Sequence, residues 1–135
     1  MAITYYSSNR LLDKNFGGTA YSEPATYYFG LSTTTIQIDG TGATEPSGGS
    51  YARIPLTNNK TNWGVASNAS LTNSTAVTFA ESTASWGTIT YVGMWDALTS
   101  GNLWWFDVLT PARAVASTTT VLFSIGSITV SMSNS

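Results

Sequence analysis

SWGTITYVGMWDALTSGNLWWFDVL, residues 85–109, decides the fold, because it carries four of the five tryptophans and the clearest hairpin signal in the chain. From Trp86 to Asp96 the side chains alternate, with Ile89, Tyr91 and Trp95 on one face and Thr88, Thr90, Val92 and Met94 on the other, as a strand of period two requires. Thr99-Ser100-Gly101-Asn102 supplies glycine and short polar side chains that tolerate φ > 0 and hydrogen-bond locally. Leu103 to Leu109 then returns as an aromatic-rich second strand. On that strand Trp104 and Trp105 point to opposite faces, so one indole is expected in the core and the other toward a partner or solvent.

Working outward toward the C-terminus, Pro111 to Ser117 reads as a crossover and Thr118 to Met132 as closing strands. Val121, Phe123 and Ile125 share one parity and Ile128, Val130 and Met132 the other. A one-residue shift reverses every side chain, so a turn or bulge at Gly126 must separate them. Toward the N-terminus, Ser74 to Ala80 reads as a strand, and Asn58 to Asn73 as a polar connection anchored by Trp63, Val65 and Leu71. Tyr51 to Thr57 reads as a strand with Ile54 and Leu56 inward, and Pro55 on it argues for an edge or a bulge, since proline cannot donate to a ladder. Thr33 to Ser50 holds Asp39-Gly40, Gly42, Glu45-Pro46 and Gly48-Gly49, which makes it a long loop in which Ile36 and Ile38 could add a short strand. Ala25 to Ser32 alternates Tyr27, Phe29 and Leu31 against Tyr28, Gly30 and Ser32, a strand with one apolar face.

The first residues differ from the rest. Ser7 or Ser8 can cap a short helix in which Leu12 and Phe16 share a face, ended by Gly17-Gly18. Residues 1–6 precede any cap, so Ile3, Tyr5 and Tyr6 read as an N-terminal arm outside the domain, needing a neighbouring subunit or another protein to cover them. The expected organisation is an arm (1–6) and one domain (7–135). Its fold is all-β, an antiparallel β-sandwich of jelly-roll type with one short N-terminal helix, and a closed barrel is the alternative.

Composition narrows function by exclusion. Apolar residues make up 42% of the chain and charged residues 9%, so solubility rests on serine and threonine, whose β-branched member suits a pleated surface. A net charge of −2, with only five scattered basic residues, offers no face to phosphates, so no nucleic-acid partner is expected. MAITYYSSNR lacks a signal-peptide pattern, and no window approaches 18 apolar residues, so no membrane partner is expected either. With no histidine and no cysteine, the common nucleophile–base pairs and zinc ligand sets are missing, and neither enzymatic activity nor a cofactor is expected. Asp96 and Asp107 are the one carboxylate pair that a hairpin could bring together as a glycosidase requires, with solvated strand ends as the simpler reading. Asp39 and Glu45 could meet a cation in the glycine-rich loop, but no known calcium-loop spacing is present. Trp104 and Trp105 could form a sugar-stacking platform, although core plus subunit interface is the simpler account.

Several runs carry a resemblance: Asn9-Arg10-Leu11-Leu12-Asp13, Phe16-Gly17-Gly18-Thr19-Ala20-Tyr21, Tyr27 to Thr34, and Glu45 to Arg53. The later runs Thr78-Phe79, Trp86 to Thr90, Met94-Trp95-Asp96-Ala97, Gly101-Asn102-Leu103 and Gly126 to Val130 continue it in order. Together they resemble a family of small tailed-bacteriophage virion proteins, commonly labelled tail-fibre proteins, with similar β-sandwiches serving as capsid cement or decoration proteins. The resemblance implies a virion structural protein made in the bacterial host cytoplasm. The expected role is a homotrimeric cement protein on the capsid surface, bridging capsomers through contact with the major capsid protein. A small tail-fibre or receptor-binding component is the alternative, and a carbohydrate-binding module a distant one. The residues expected at a subunit or capsid interface are Ile3, Tyr5, Tyr6, Trp104 and Trp105.

Overall fold

A computed structural model describes residues 1–132. In chain order the elements are β1 (Ala2–Ile3), α1 (Tyr5–Gly17), β2 (Thr26–Ser32), β3 (Ile54–Thr57), β4 (Ser70–Thr72), β5 (Val77–Thr78), β6 (Gly87–Trp95), β7 (Leu103–Val115), β8 (Leu122–Phe123) and β9 (Thr129–Ser131). Five strands form one antiparallel sheet in the order β1-β7-β6-β2-β3, and two short ribbons, β4-β9 and β5-β8, pair separately. The fold is thus all-β with one helix, as the alternation indicates. In place of a second full sheet completing a jelly roll, the two ribbons pack across one face of the five-stranded sheet.

The core lies between these layers. Phe29 and Leu31 from β2, Ile89, Val92 and Met94 from β6, and Val77, Phe79, Trp63 and Ile128 from the ribbon side are all buried in one cluster. Phe29, Phe79 and Phe123 pack as a ring trio, with Phe29 and Phe123 centroids 4.9 Å apart and edge-on. A smaller cluster of Ile36, Trp95 and Leu103 lies apart from it, with Tyr91 and Phe106 packed against it.

The hairpin of β6 and β7 is present, but it departs from simple alternation. Ile89 pairs with Arg113 and Tyr91 with Val108, so Thr90 alone faces residues 109–112 across an irregularity. The phase slip places Ile89 in the main core with Val92 and Met94, while Tyr91 and Trp95 go to the smaller one. The expected crossover over Pro111 to Ser117 is instead largely the last third of β7. Pro111 falls inside the irregularity, where its missing N–H takes no hydrogen bond from the ladder.

Elsewhere Pro55 does occupy an edge strand, opposite Tyr28. Ile36 is buried without forming a strand, and the expected strand over Ser74 to Ala80 shortens to β5. The parity reversal near the C-terminus is a turn at Gly126, whose φ is 80°. Asn73, 2% exposed, holds that turn: its amide nitrogen donates to the Ser124 carbonyl at 3.0 Å and its amide oxygen accepts from the Ile128 N–H at 2.9 Å.

Candidate functional site

The residues expected at an interface meet one another inside a single chain. β1 pairs with the free edge of β7, setting Ile3 opposite Trp105. Thr4 is fully buried; its N–H donates to the Trp104 carbonyl at 3.1 Å and its hydroxyl to the Leu103 carbonyl at 2.7 Å. Pinned there, Thr4 also accepts the Ser7 N–H and becomes the N-cap, so the helix starts at Tyr5 instead of after Ser7 or Ser8. Residues 1–6 are therefore shared between sheet and helix and do not project as an arm, because β7 offers an unpaired edge next to the helix start. Tyr6 packs edge-on against Trp104 with centroids 5.4 Å apart, while Tyr5 stays 55% exposed.

Trp104 and Trp105 do take opposite faces. Trp105 pairs with Met94 and packs against the main core, partly exposed. Trp104 is 4% exposed beneath Tyr6, Tyr21 and Tyr27, and its indole N–H donates to Asp96 at 3.1 Å. Asp96 also accepts the backbone N–H of Asn102 at 2.7 Å and its side-chain amide at 3.0 Å, so it fastens the hairpin tip. Partial burial opposes ionisation of Asp96, but the bonds from Asn102 and Trp104 outweigh it and hold the carboxyl below its usual range. Asp107 pairs opposite Val92, four residues back along β6, about 13 Å of strand away. The two carboxylates do not form a pair.

Asp39 and Glu45 are also apart in role. Asp39 closes its own turn by accepting from the N–H and hydroxyl of Thr41, and the hydroxyl first, then the N–H, lowers its pKa. Glu45 is engaged by Arg53, whose Nε donates to one oxygen at 2.9 Å and Nη2 to the other at 2.7 Å. Arg53 is 5% exposed, its Nη1 donates to the carbonyls of Ala97 and Ser100 at 2.6 and 2.8 Å, and its guanidinium lies 4.2 Å above the Trp95 ring. Tyr51 completes the cluster, donating its hydroxyl to Glu45 at 2.8 Å and accepting the Leu31 N–H at 2.9 Å. Burial pushes the Tyr51 phenol well above the usual range. This clamp ties the long loop, β2 and the hairpin tip together. Sequence reasoning missed it; its one sign was a lone cation inside the otherwise apolar run YARIPL.

Outside the clamp, the surface near the hairpin tip is aromatic and concave. A groove of about 440 Å³ is lined by Tyr6, Arg10, Tyr21, Tyr28, Asp96 and Trp104 among others, and the Arg10 guanidinium lies 3.4 Å from the centre of the Tyr6 ring. Beside it, α1 presents Leu12 and Phe16 to solvent, Phe16 at 87%. Rings, hydroxyls and a guanidinium gathered in one groove suit contact with another surface. No helix among the described residues is long and apolar enough to cross a membrane.

A family model described as podophage GP4 fiber I protein gp80 matches residues 2–131. The chain belongs to this family. It is accordingly a phage virion structural protein of a fibre family. The matched span runs from the first residue of β1 to the last of β9, so the fibre I family model takes in the edge strand, the helix and both ribbons as one unit. No curated protein matches the chain.

Proposed function

We propose that this chain is a structural component of the podophage tail fibre, working through surface contacts and without catalysis. The observation that carries the reading is the fibre I family match across residues 2–131. Geometry supports it against the capsid-cement alternative. That alternative drew, beside the resemblance, on a free N-terminal arm at the capsid interface, whereas residues 1–4 close the edge of their own sheet and begin their own helix. A homotrimer remains part of the proposal, because Leu12, Phe16 and Tyr5 leave apolar and aromatic surface exposed on one helix.

Deleting the gene from the phage tests the reading. The expected particles package DNA and hold it stably but adsorb poorly to host cells. Particles that adsorb normally yet release DNA on mild heating would point instead to a cement protein bound to the major capsid protein.

A further inference from the structure

A second concavity, of about 330 Å³, opens at the other face of the sheet. Its floor is Met94 and Trp105, register partners on β6 and β7, with Tyr27 beside them on β2. Its far wall is Leu71 and Val130, partners in the β4-β9 ribbon. Trp63 and the consecutive polar residues Asn58, Asn59 and Lys60 complete it.

We propose that this cavity binds one saccharide unit bearing an anionic substituent, a carboxylate or a phosphate. A pyranose has apolar C–H faces and a girdle of hydroxyls; it needs flat rings for the first and fixed donors and acceptors for the second. Tyr27, Trp63 and Trp105 provide three rings on the lining.

The polar groups are held in place, Asn59 and Lys60 by their own loop and Asn58 by the segment before β2. The Asn58 amide nitrogen donates to the Pro24 carbonyl at 3.0 Å, which leaves its amide oxygen as an acceptor. The Asn59 amide oxygen accepts the N–H groups of Thr61 at 3.1 Å and Asn62 at 3.0 Å, which leaves its NH₂ as a donor. Lys60 donates one N–H to the Gly64 carbonyl at 3.0 Å and keeps the rest of its ammonium for a ligand. Such groups lose little freedom on binding. Trp63, 6% exposed, carries a buried indole N–H without an acceptor among the described residues. Burial pushes the Tyr27 phenol up to about 12, against a smaller opposing effect of the Trp105 indole, so this ring keeps its proton and can donate.

Charge and polarity choose the ligand class. The lining includes Lys60 and no carboxylate, which favours an anionic sugar over a cationic one. An apolar side chain from a protein partner would strand the free amide groups of Asn58 and Asn59 against hydrocarbon. A polynucleotide would find one lysine on a chain of net charge −2.

The inference rests on the fibre reading for its biological meaning, but its test is separate. The intact chain is applied to an array of uronic acids, phosphorylated sugars, neutral sugars and bacterial polysaccharide fragments, with tryptophan fluorescence and saturation-transfer NMR on each hit. Binding of at least one acidic saccharide is expected, separating carboxylate from phosphate sources by the arm of the array that responds. Trp105→Ala should weaken it about ten-fold or more. Lys60→Gln should abolish the preference for acidic over neutral sugars, and Asn59→Ala should weaken both. Residues 59 and 60 are exposed, so these two variants keep the test valid if Trp105→Ala unfolds. Leu98→Ser, an exposed position at the hairpin tip away from the cavity, should change nothing. No binding at millimolar concentration anywhere on the array overturns the inference, as does binding that survives all three pocket substitutions. A chain located in the fibre that binds no sugar defeats this inference alone; a chain located on the capsid that binds sugar defeats the fibre reading alone.

Discussion

Replacing Glu45 with glutamine should destabilise the protein well beyond a typical surface substitution. The change removes the negative charge facing Arg53 while the guanidinium stays 5% exposed, held by Ala97, Ser100 and the Trp95 ring. Breaking a buried pair by removing one partner costs about 3–5 kcal/mol, because the remaining charge stays buried without its counterion. Glu45 is itself 25% exposed at its side chain, so water relieves part of this and about 3 kcal/mol is the better figure. For a domain of this length that corresponds to a fall in Tm of about 10 °C. Arg53→Met should cost a similar amount, whereas Glu45→Gln combined with Arg53→Met should recover part of the loss, since neither charge then remains. Thermal unfolding followed by near-ultraviolet circular dichroism reads all three against the native chain. A Glu45→Gln melt within about 1 °C of native, or a double variant no better than the sum of the singles, would refute the clamp.

Deleting residues 1–6 should lower the stability of the isolated chain by about 3 kcal/mol, from loss of the Thr4 cap and of buried Met1, and scanning calorimetry would show it as an earlier melt. An unchanged melt would mean that the segment is an independent arm after all. Gly30→Ala places a Cβ 2.9 Å from both Glu45 Oε1 and the Trp95 ring, so it should cost about 1–3 kcal/mol in urea unfolding. The folded pKa of Asp96 is depressed below 3.8, so its contribution is present above about pH 4 and is lost as pH falls through the folded value. Asp96→Asn should therefore flatten the acid limb of the stability profile measured from pH 2 to 6, and an identical limb in the variant would contradict the role given to Asp96.

Legibility followed the range of the interactions. Period-two alternation and turn chemistry are local, so the hairpin, the apolar face of β2, the edge position of Pro55 and the turn at Gly126 could all be read from residue order. The opposite directions of Trp104 and Trp105 followed from the same rule. What covers them did not, because the cover for Trp104 is Tyr6, nearly a hundred positions earlier, and β1 reaches β7 only through the tertiary fold. The helix start moved for the same reason: a cap is local, but Thr4 became the cap because a distant strand fixed it. Ile89 was assigned to the wrong face because four residues of β7 oppose one of β6, an irregularity that leaves no mark on β6 itself. Asn73 read as one polar residue in a polar connection, yet its role depends on Ser124 and Ile128. The sugar-sized cavity was invisible in sequence, since its rings come from positions 27, 63 and 105, on β2, the connection before β4, and β7.

The central claim is a place in the particle, and a reconstruction of the intact virion by cryo-electron microscopy tests it most directly. The five-stranded sheet with its two ribbons and single helix gives a shape that can be fitted as a rigid unit. The account predicts that this shape fits density in the tail-fibre apparatus, with α1 facing a neighbouring copy. Density for it on the outer capsid lattice, at the junctions between capsomers and absent from the fibres, would contradict the account.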